Sequence, residues 1–184
     1  MNLIDILNTT HPLPTADLTI LENIFQEVNL CKGTVLFSQA KTERKFYFIK
    51  KGIARAFTTT DGDDITFWFG QEGDPILSIN SYISNQASYE TIELLEDAIL
   101  YETSNKLLNK LYETNHNICN WGRKFAENEL IKAEQRFISR LTGNAKQRYE
   151  YLLKNHSGLL NRVPLGHIAS YLGITQVSLS RIRK

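Results

Sequence analysis

From Gly33 to about Thr103 the apolar residues come in short runs at strand spacing, and after Ser104 no convincing run of that kind occurs. The runs read "TVLF", "KFYFIKK", "IARAFTTT", "ITFWFG", "YETIELL" and "AILYET", with turn chemistry at Lys51-Gly52 and Asp61-Gly62. Many short strands joined by tight turns bury one face each and close into a small antiparallel sandwich or roll. Asp61-Gly62 predicts a hairpin, because the two-residue turn that matches strand twist needs positive φ at its centre and glycine adopts it without steric cost. Ahead of the strands, Leu13, Leu18, Leu21, Ile24 and Phe25 lie at helical spacing within Asp5 to Leu30, with Thr15 or Asp17 able to cap. That stretch is read as short helices, and the class as α+β.

The second half carries a long helical stretch from about Asn115 to Leu141. Ile118, Trp121, Phe125, Leu130, Ala133, Phe137 and Leu141 recur at gaps of three to five, which gives the helix more than one apolar face. One face covering the strand domain would account for part of this. A second face pairing with its copy would account for the rest, and the candidate interface is then Ile118, Trp121, Phe125, Leu130, Ala133 and Phe137. Gly143-Asn144 ends the helix, a further helix runs from Ala145 to about Asn155, and "HSGLLNRVP" forms a loop closed by Pro164. The resulting units are 1–114, 115–142 and 143–184.

The chain closes on "GHIASYLGITQVSLSRIRK". With Gly173 at a turn, Ile168, Ala169 and Leu172 face inward before it, and Ile174, Leu179 and Ile182 after it. A helix-turn-helix needs this pattern: adjacent buried residues, a small one where the helices cross, and a glycine free to reverse the chain. Thr175 then caps the second helix, Gln176, Val177, Ser180, Arg181 and Lys184 face outward, and Ser178 stands beside the cap. Gln pairs with adenine, Arg with guanine, and Val meets a thymine methyl, while Thr175, Ser178 and the helix start suit phosphates.

Charge divides along the same boundary. Residues 1–104 hold 7 Lys/Arg against 15 Asp/Glu, whereas residues 105–184 hold 14 against 5. A basic C-terminal half favours a polyanion such as nucleic acid, although a solvated helical surface has the same composition. With 42% hydrophobic and 22% charged residues the chain is globular. Asp5 interrupts "MNLIDILNTT", and no run is long and apolar enough to span a bilayer, so a cytoplasmic protein without membrane contact is expected. Cys31 and Cys119 are expected to be buried, inert thiols. The sequence offers no nucleophile elbow, metal-ligand spacing or phosphate loop, and an enzyme is not expected.

The stretches "KGTVLFSQAKTERKFYFIKKGIARAF" and "VPLGHIASYLGITQVSLSRIRK", with the long helix between them, resemble the Crp/Fnr (cyclic-AMP receptor and Fnr) family of transcription regulators, in particular a short, divergent branch of Bacteroidetes type. The resemblance implies an N-terminal β-roll of double-stranded β-helix type, like a cyclic-nucleotide-binding domain, a dimerisation helix, and a C-terminal reading head. It implies a homodimer on an imperfect DNA palindrome and admits RNA polymerase as a further partner. Gln176, Val177 and Arg181 fall on its base-reading positions.

In that family a Gly-Glu-Leu segment, and some ten residues later an Arg cluster, hold the phosphate of cyclic AMP. Here Leu77-Ser78 and Ser88-Tyr89-Glu90 stand in those places. Without the arginine, and with Glu90 nearby, no cyclic nucleotide is expected as cofactor, and an unknown small effector remains open. Its candidate pocket is Phe67, Phe69, Ser78, Tyr82, Ser88 and Tyr89, with Trp68 alongside, although strand aromatics are usually core. An iron–sulfur sensor would need more cysteines. Among His11, His116, His156 and His167, a metal or haem role is disfavoured, and His167 is expected to face solvent or a phosphate. The competing class is a degenerate sensor or interaction module that dimerises and binds a protein or small ligand without specific DNA binding.

Overall fold

The computed structural model describes residues 1–156 and 158–183, with the side chain of Asn155 left aside. Two helices, α1 (Leu3–Thr10) and α2 (Thr15–Glu22), precede five strands, β1 (Gln26–Leu30), β2 (Val35–Phe37), β3 (Lys45–Lys51), β4 (Ala54–Thr60) and β5 (Asp63–Gly70). Then follow β6 (Pro75–Ile76), α3 (Ile79–Ser84), β7 (Thr91–Leu94) and β8 (Ala98–Ser104). The rest is helical: α4 (Asn105–Thr114), α5 (His116–Thr142), α6 (Ala145–His156), α7 (Leu159–Arg162), α8 (Leu165–Leu172) and α9 (Gln176–Ile182).

The strands form two four-stranded antiparallel sheets in the orders β1-β8-β3-β6 and β2-β7-β4-β5. Alternate residues turn inward between them, so Phe37, Tyr47, Ile49, Ala54, Ala56, Ile92, Leu94 and Leu100 share one core. Asp61 and Gly62 take φ of 55° and 87° and join β4 to β5, with Thr60 opposite Asp63, as the Asp-Gly signal requires.

Several expectations are corrected. Gln26–Leu30 is a strand, because its hydrogen bonds are met by β8, Gln26 standing opposite Glu102 and Leu30 opposite Ala98. Its period of two (Val28 and Leu30 toward the core) was hidden behind the helical spacing of Leu18, Leu21 and Ile24. Neither Thr15 nor Asp17 caps α2, whose N-cap is Pro14 with no side-chain bond. Asp17 instead accepts from Nδ2 of Asn115 at 2.6 Å and of Asn117 at 2.7 Å, tying α2 to the start of α5. Both cysteines are exposed. Cys119 follows the fully buried Ile118 by one residue, about 100° around the helix and away from the core.

A second core lies outside the first sheet, where α1, α2, α4 and the N-terminal half of α5 cover Phe46, Phe48 and Tyr101. Trp121 is 1% exposed, its ring stacks on Phe125 at 5.6 Å, and its Nε1 donates to the carbonyl of Leu7 at 2.9 Å. Ile118, Trp121 and Phe125 therefore belong to the subunit's own interior and drop out of the candidate interface. Replacing Trp121 by Ala is expected to destabilise the protein by about 3–5 kcal/mol, read from urea unfolding, since it removes a filled volume and strands a carbonyl.

Candidate nucleic-acid interface

The last two helices cross as their spacing demands. Ile168, Ala169, Leu172 and Leu179 are buried together, with Ile174 and Ile182 packed against them. Gly173 adopts φ 66°, which lets its own N–H reach the carbonyl of Ser170 and that of Ile174 reach Ala169, both at 3.0 Å. Thr175 caps α9, its Oγ1 accepting from the N–H of Ser178 at 3.2 Å. Leu179 turns inward, so Gln176, Val177, Ser180 and Arg181 stand exposed on the other side, and Thr175 is exposed beside them. Ser178 is half-buried and close to Thr175, its Oγ 3.0 Å from Oγ1. Lys184 lies outside the described residues. Arg183, exposed at the end of α9, joins the basic set and was legible in "RIRK".

The pair is seated on the roll. Ser170 Oγ accepts from the N–H of Thr66 at 2.9 Å and donates to the carbonyl of Asp64 at 2.8 Å, so α8 completes backbone bonds at the outer edge of β5. Phe69 meets Tyr171 at 5.3 Å, and Ile53 and Leu95 enter the same apolar cluster. Beneath α8 lies Arg55, 2% exposed and absent from the candidate residues. It donates to Thr66 and Glu93 at 2.9 Å, to Asp64 at 3.3 Å, and lies over the Phe57 ring. Its signal was an arginine between two alanines in a strand run. His167 sits at this junction rather than in open solvent, half-buried, with its pKa lowered by burial and by Arg55.

Arg162 ties the other end. Nη2 and Nη1 donate to the two oxygens of Glu72 at 2.7 and 3.1 Å, and Nε and Nη2 reach Glu96. Burial alone would raise the Glu72 carboxyl, but Arg162 and the Gly52 N–H bring it down to about 2.

On α5, Leu130, Phe137 and Leu141 are 70%, 63% and 69% exposed, with Ala133 on the same side. Ile131 and Ile138 extend this uncovered apolar stripe.

The proposed effector residues do not form one pocket. Phe67 and Tyr89 meet at 6.3 Å, and Ser88 Oγ donates to Ser78 Oγ at 2.7 Å. Phe69 points the other way, into the junction with α8, and Tyr82 packs on Phe46 of the helical core. Nor do these residues fit the phosphate of a cyclic nucleotide. Ser78, Ser81 and Ser88 are buried, Ser81 Oγ donates to the Gln86 carbonyl at 2.9 Å, and among the described residues no Lys or Arg side chain bonds to them. Glu90 is 3% exposed beside them, its Oε2 lacking a partner among the described residues and its pKa raised by burial.

Residues 27–115 match the cyclic nucleotide-binding domain family. The fold is similar to that of the c-di-GMP responsive global regulator CLP of Xanthomonas campestris, at 13% identity and a TM-score of 0.71, covering 92% of this chain and 89% of that one. FixK2 of Bradyrhizobium japonicum gives 19% and 0.74, covering 87% and 83%. A putative transcriptional regulator of the Crp/Fnr family from Eubacterium rectale gives 16% and 0.72, covering 95% and 85%. No curated protein matches the chain in sequence. Among the described residues, no helix is long and apolar enough to cross a membrane.

The depressed Glu72 carboxyl sets an acid limit on the seating of the head. Because its folded pKa lies below its ordinary 4.5, the stabilisation is complete above that value and is lost as pH falls toward about 2. Urea unfolding of wild type and Glu72→Gln is expected to show a stability gap above pH 5 that narrows on acidification; a gap independent of pH would mean that the charge contributes nothing.

Proposed function

We propose that this chain, which carries a cyclic nucleotide-binding domain on the fold of the Crp/Fnr transcriptional regulators, is a homodimeric, sequence-specific DNA-binding transcription regulator of the cytoplasm that does not respond to cyclic AMP. The observation that carries the reading is the crossed pair α8 and α9, with Gln176, Val177, Ser180 and Arg181 on its exposed side and Thr175 and Ser178 at the cap. Exposed polar and basic residues on a short helix braced from behind are what a major groove accepts. Val177 offers an apolar contact at the same surface, 62% exposed.

Two copies are needed to read a palindrome, and the uncovered stripe of Leu130, Ala133, Phe137 and Leu141 supports pairing of α5 with its copy. An apolar row of this length in water is costly, and burial against the same row satisfies both copies by one twofold operation. Half-sites about one helical turn apart follow from that symmetry. The hydroxyl cluster at Ser78, Ser81 and Ser88, with Glu90 beside it, supports indifference to cyclic AMP.

Selection from a random DNA pool at moderate salt is expected to enrich an imperfect palindrome, with affinity falling steeply as salt rises and unchanged by cyclic AMP. Failure to enrich any motif would favour an interaction module without specific DNA binding. Arg181→Ala is expected to cost roughly 1–3 kcal/mol and to relax preference at one base per half-site; equal loss on all sequences would make Arg181 a phosphate contact. Phe137→Glu is expected to give monomers by sedimentation velocity while melting within a few degrees of wild type, because its side chain is exposed within one subunit.

A further inference from the structure

Where the roll, α5 and the reading head meet, a cleft of about 280 Å³ opens, walled by Trp68 of β5, Lys132 and Arg136 of α5, Tyr151 and His156 of α6, and Tyr171 of α8. It is separate from the hydroxyl cluster of the roll and from the exposed side of α9. A neighbouring cleft between α1, α5 and β3, about 390 Å³, shares its Lys132 and Glu129 edge but is floored by Ile6, Phe48, Pro75 and Phe125 and offers no uncommitted charge.

The charges of the junction cleft do not cancel evenly. Lys132 is held by Glu129 at 2.7 Å and lies 3.9 Å from Asp74, so both carboxylates gather on one ammonium. Asp74 is further committed, accepting from the N–H of Gln71 at 3.0 Å, and burial raises its pKa. Arg136, one turn along α5 from Lys132, makes no ion pair among the described residues. It is half-buried, and its charge helps to lower the pKa of His156 on the facing wall, where burial is the larger cause. Among the described residues the buried Nδ1 of His156 has no hydrogen-bond partner, an unmet demand at the same wall.

The aromatic side is set by a glycine. A Cβ on Gly70 would stand 2.1 Å from Cη2 of Trp68, so only glycine there lets the indole lie across the strand toward the cleft. Tyr171, held by Phe69 from behind, faces the same space from the head. A guanidinium with no carboxylate, flanked by aromatic rings in a space this small, suits a compact planar body bearing one anionic group.

We propose that this cleft is a binding site for a small aromatic anion, a carboxylate or phosphate held by Arg136 with its ring against Trp68 and Tyr171. The site touches the roll, the long helix and the head at once, so its occupant becomes part of the contact that seats the head. The binding itself is independent of whether α9 reads DNA.

The test follows tryptophan emission in the full chain, where Trp121 is buried in the helical core and Trp68 reports on the cleft. Benzoate and phenyl phosphate are expected to change the emission saturably, and neutral benzamide is not. Arg136→Gln, with its fold checked by melting, is expected to weaken the anions by roughly tenfold or more, the loss of a charge-assisted pair. No saturable response to either anion, an equal response to benzamide, or unchanged affinity in Arg136→Gln would overturn the proposal.

Discussion

The arrangement of this molecule depends on how α8 is seated against the outer side of β5. Ser170 closes two backbone bonds of that strand, an N–H and a carbonyl that would otherwise face the helix without partners, and so sets both the height and the rotation of the head. Apolar contacts from Ile53, Phe69 and Leu95 then have a defined surface to fill, and Leu172 and Leu179 complete it from the other side. The exposed side of α9 is a consequence of this seating, because the face toward the roll is already taken.

The same junction is unusually charged for a core. Arg55 is buried with Thr66 and pairs with the half-buried Glu93 and the exposed Asp64, and the half-buried Arg162 reaches Glu72 and Glu96. A buried charge such as Arg55 contributes little net stability once desolvation is counted, but losing its partners is costly, which makes such a contact selective about geometry. An interface of this kind favours one relative position of roll and head, unlike the packing of Trp121, which is a ring stack on Phe125 with one bond from its indole N–H to the Leu7 carbonyl. The long helix spans both regimes. Its N-terminal half is locked into the first sheet, and its C-terminal half carries the uncovered stripe and the cleft beside the head.

Sequence reasoning located most of the strands because their apolar runs alternate and are punctuated by Gly52 and Asp61-Gly62. It located the crossed helices because Ala169, Gly173 and Leu179 have few other uses at that spacing. It missed β1, whose polar edge residues gave too few apolar positions to show a period of two. It assigned Ile118, Trp121 and Phe125 to a dimer face because an apolar stripe does not say which neighbour covers it. It treated Phe67, Phe69 and Tyr82 as one pocket, although Phe67 is the extra residue of a β-bulge against β4, which turns it and Phe69 to different sides, and Tyr82 lies on a helix that turns toward α4.

What the sequence determined alone is local. The turns follow from where glycine sits, the cap of α9 from Thr175, and the inward and outward sides of α8 and α9 from apolar spacing. Tertiary structure decided what each apolar face meets. It gave the first half of α5 to the roll and left Leu130, Phe137 and Leu141 bare. It buried Arg55 under a helix more than a hundred residues away, and it brought Arg136 to Trp68 and Tyr171. The physical reason is that propensity and spacing act over a few residues, whereas burial and charge pairing depend on which distant surfaces the folded chain brings together.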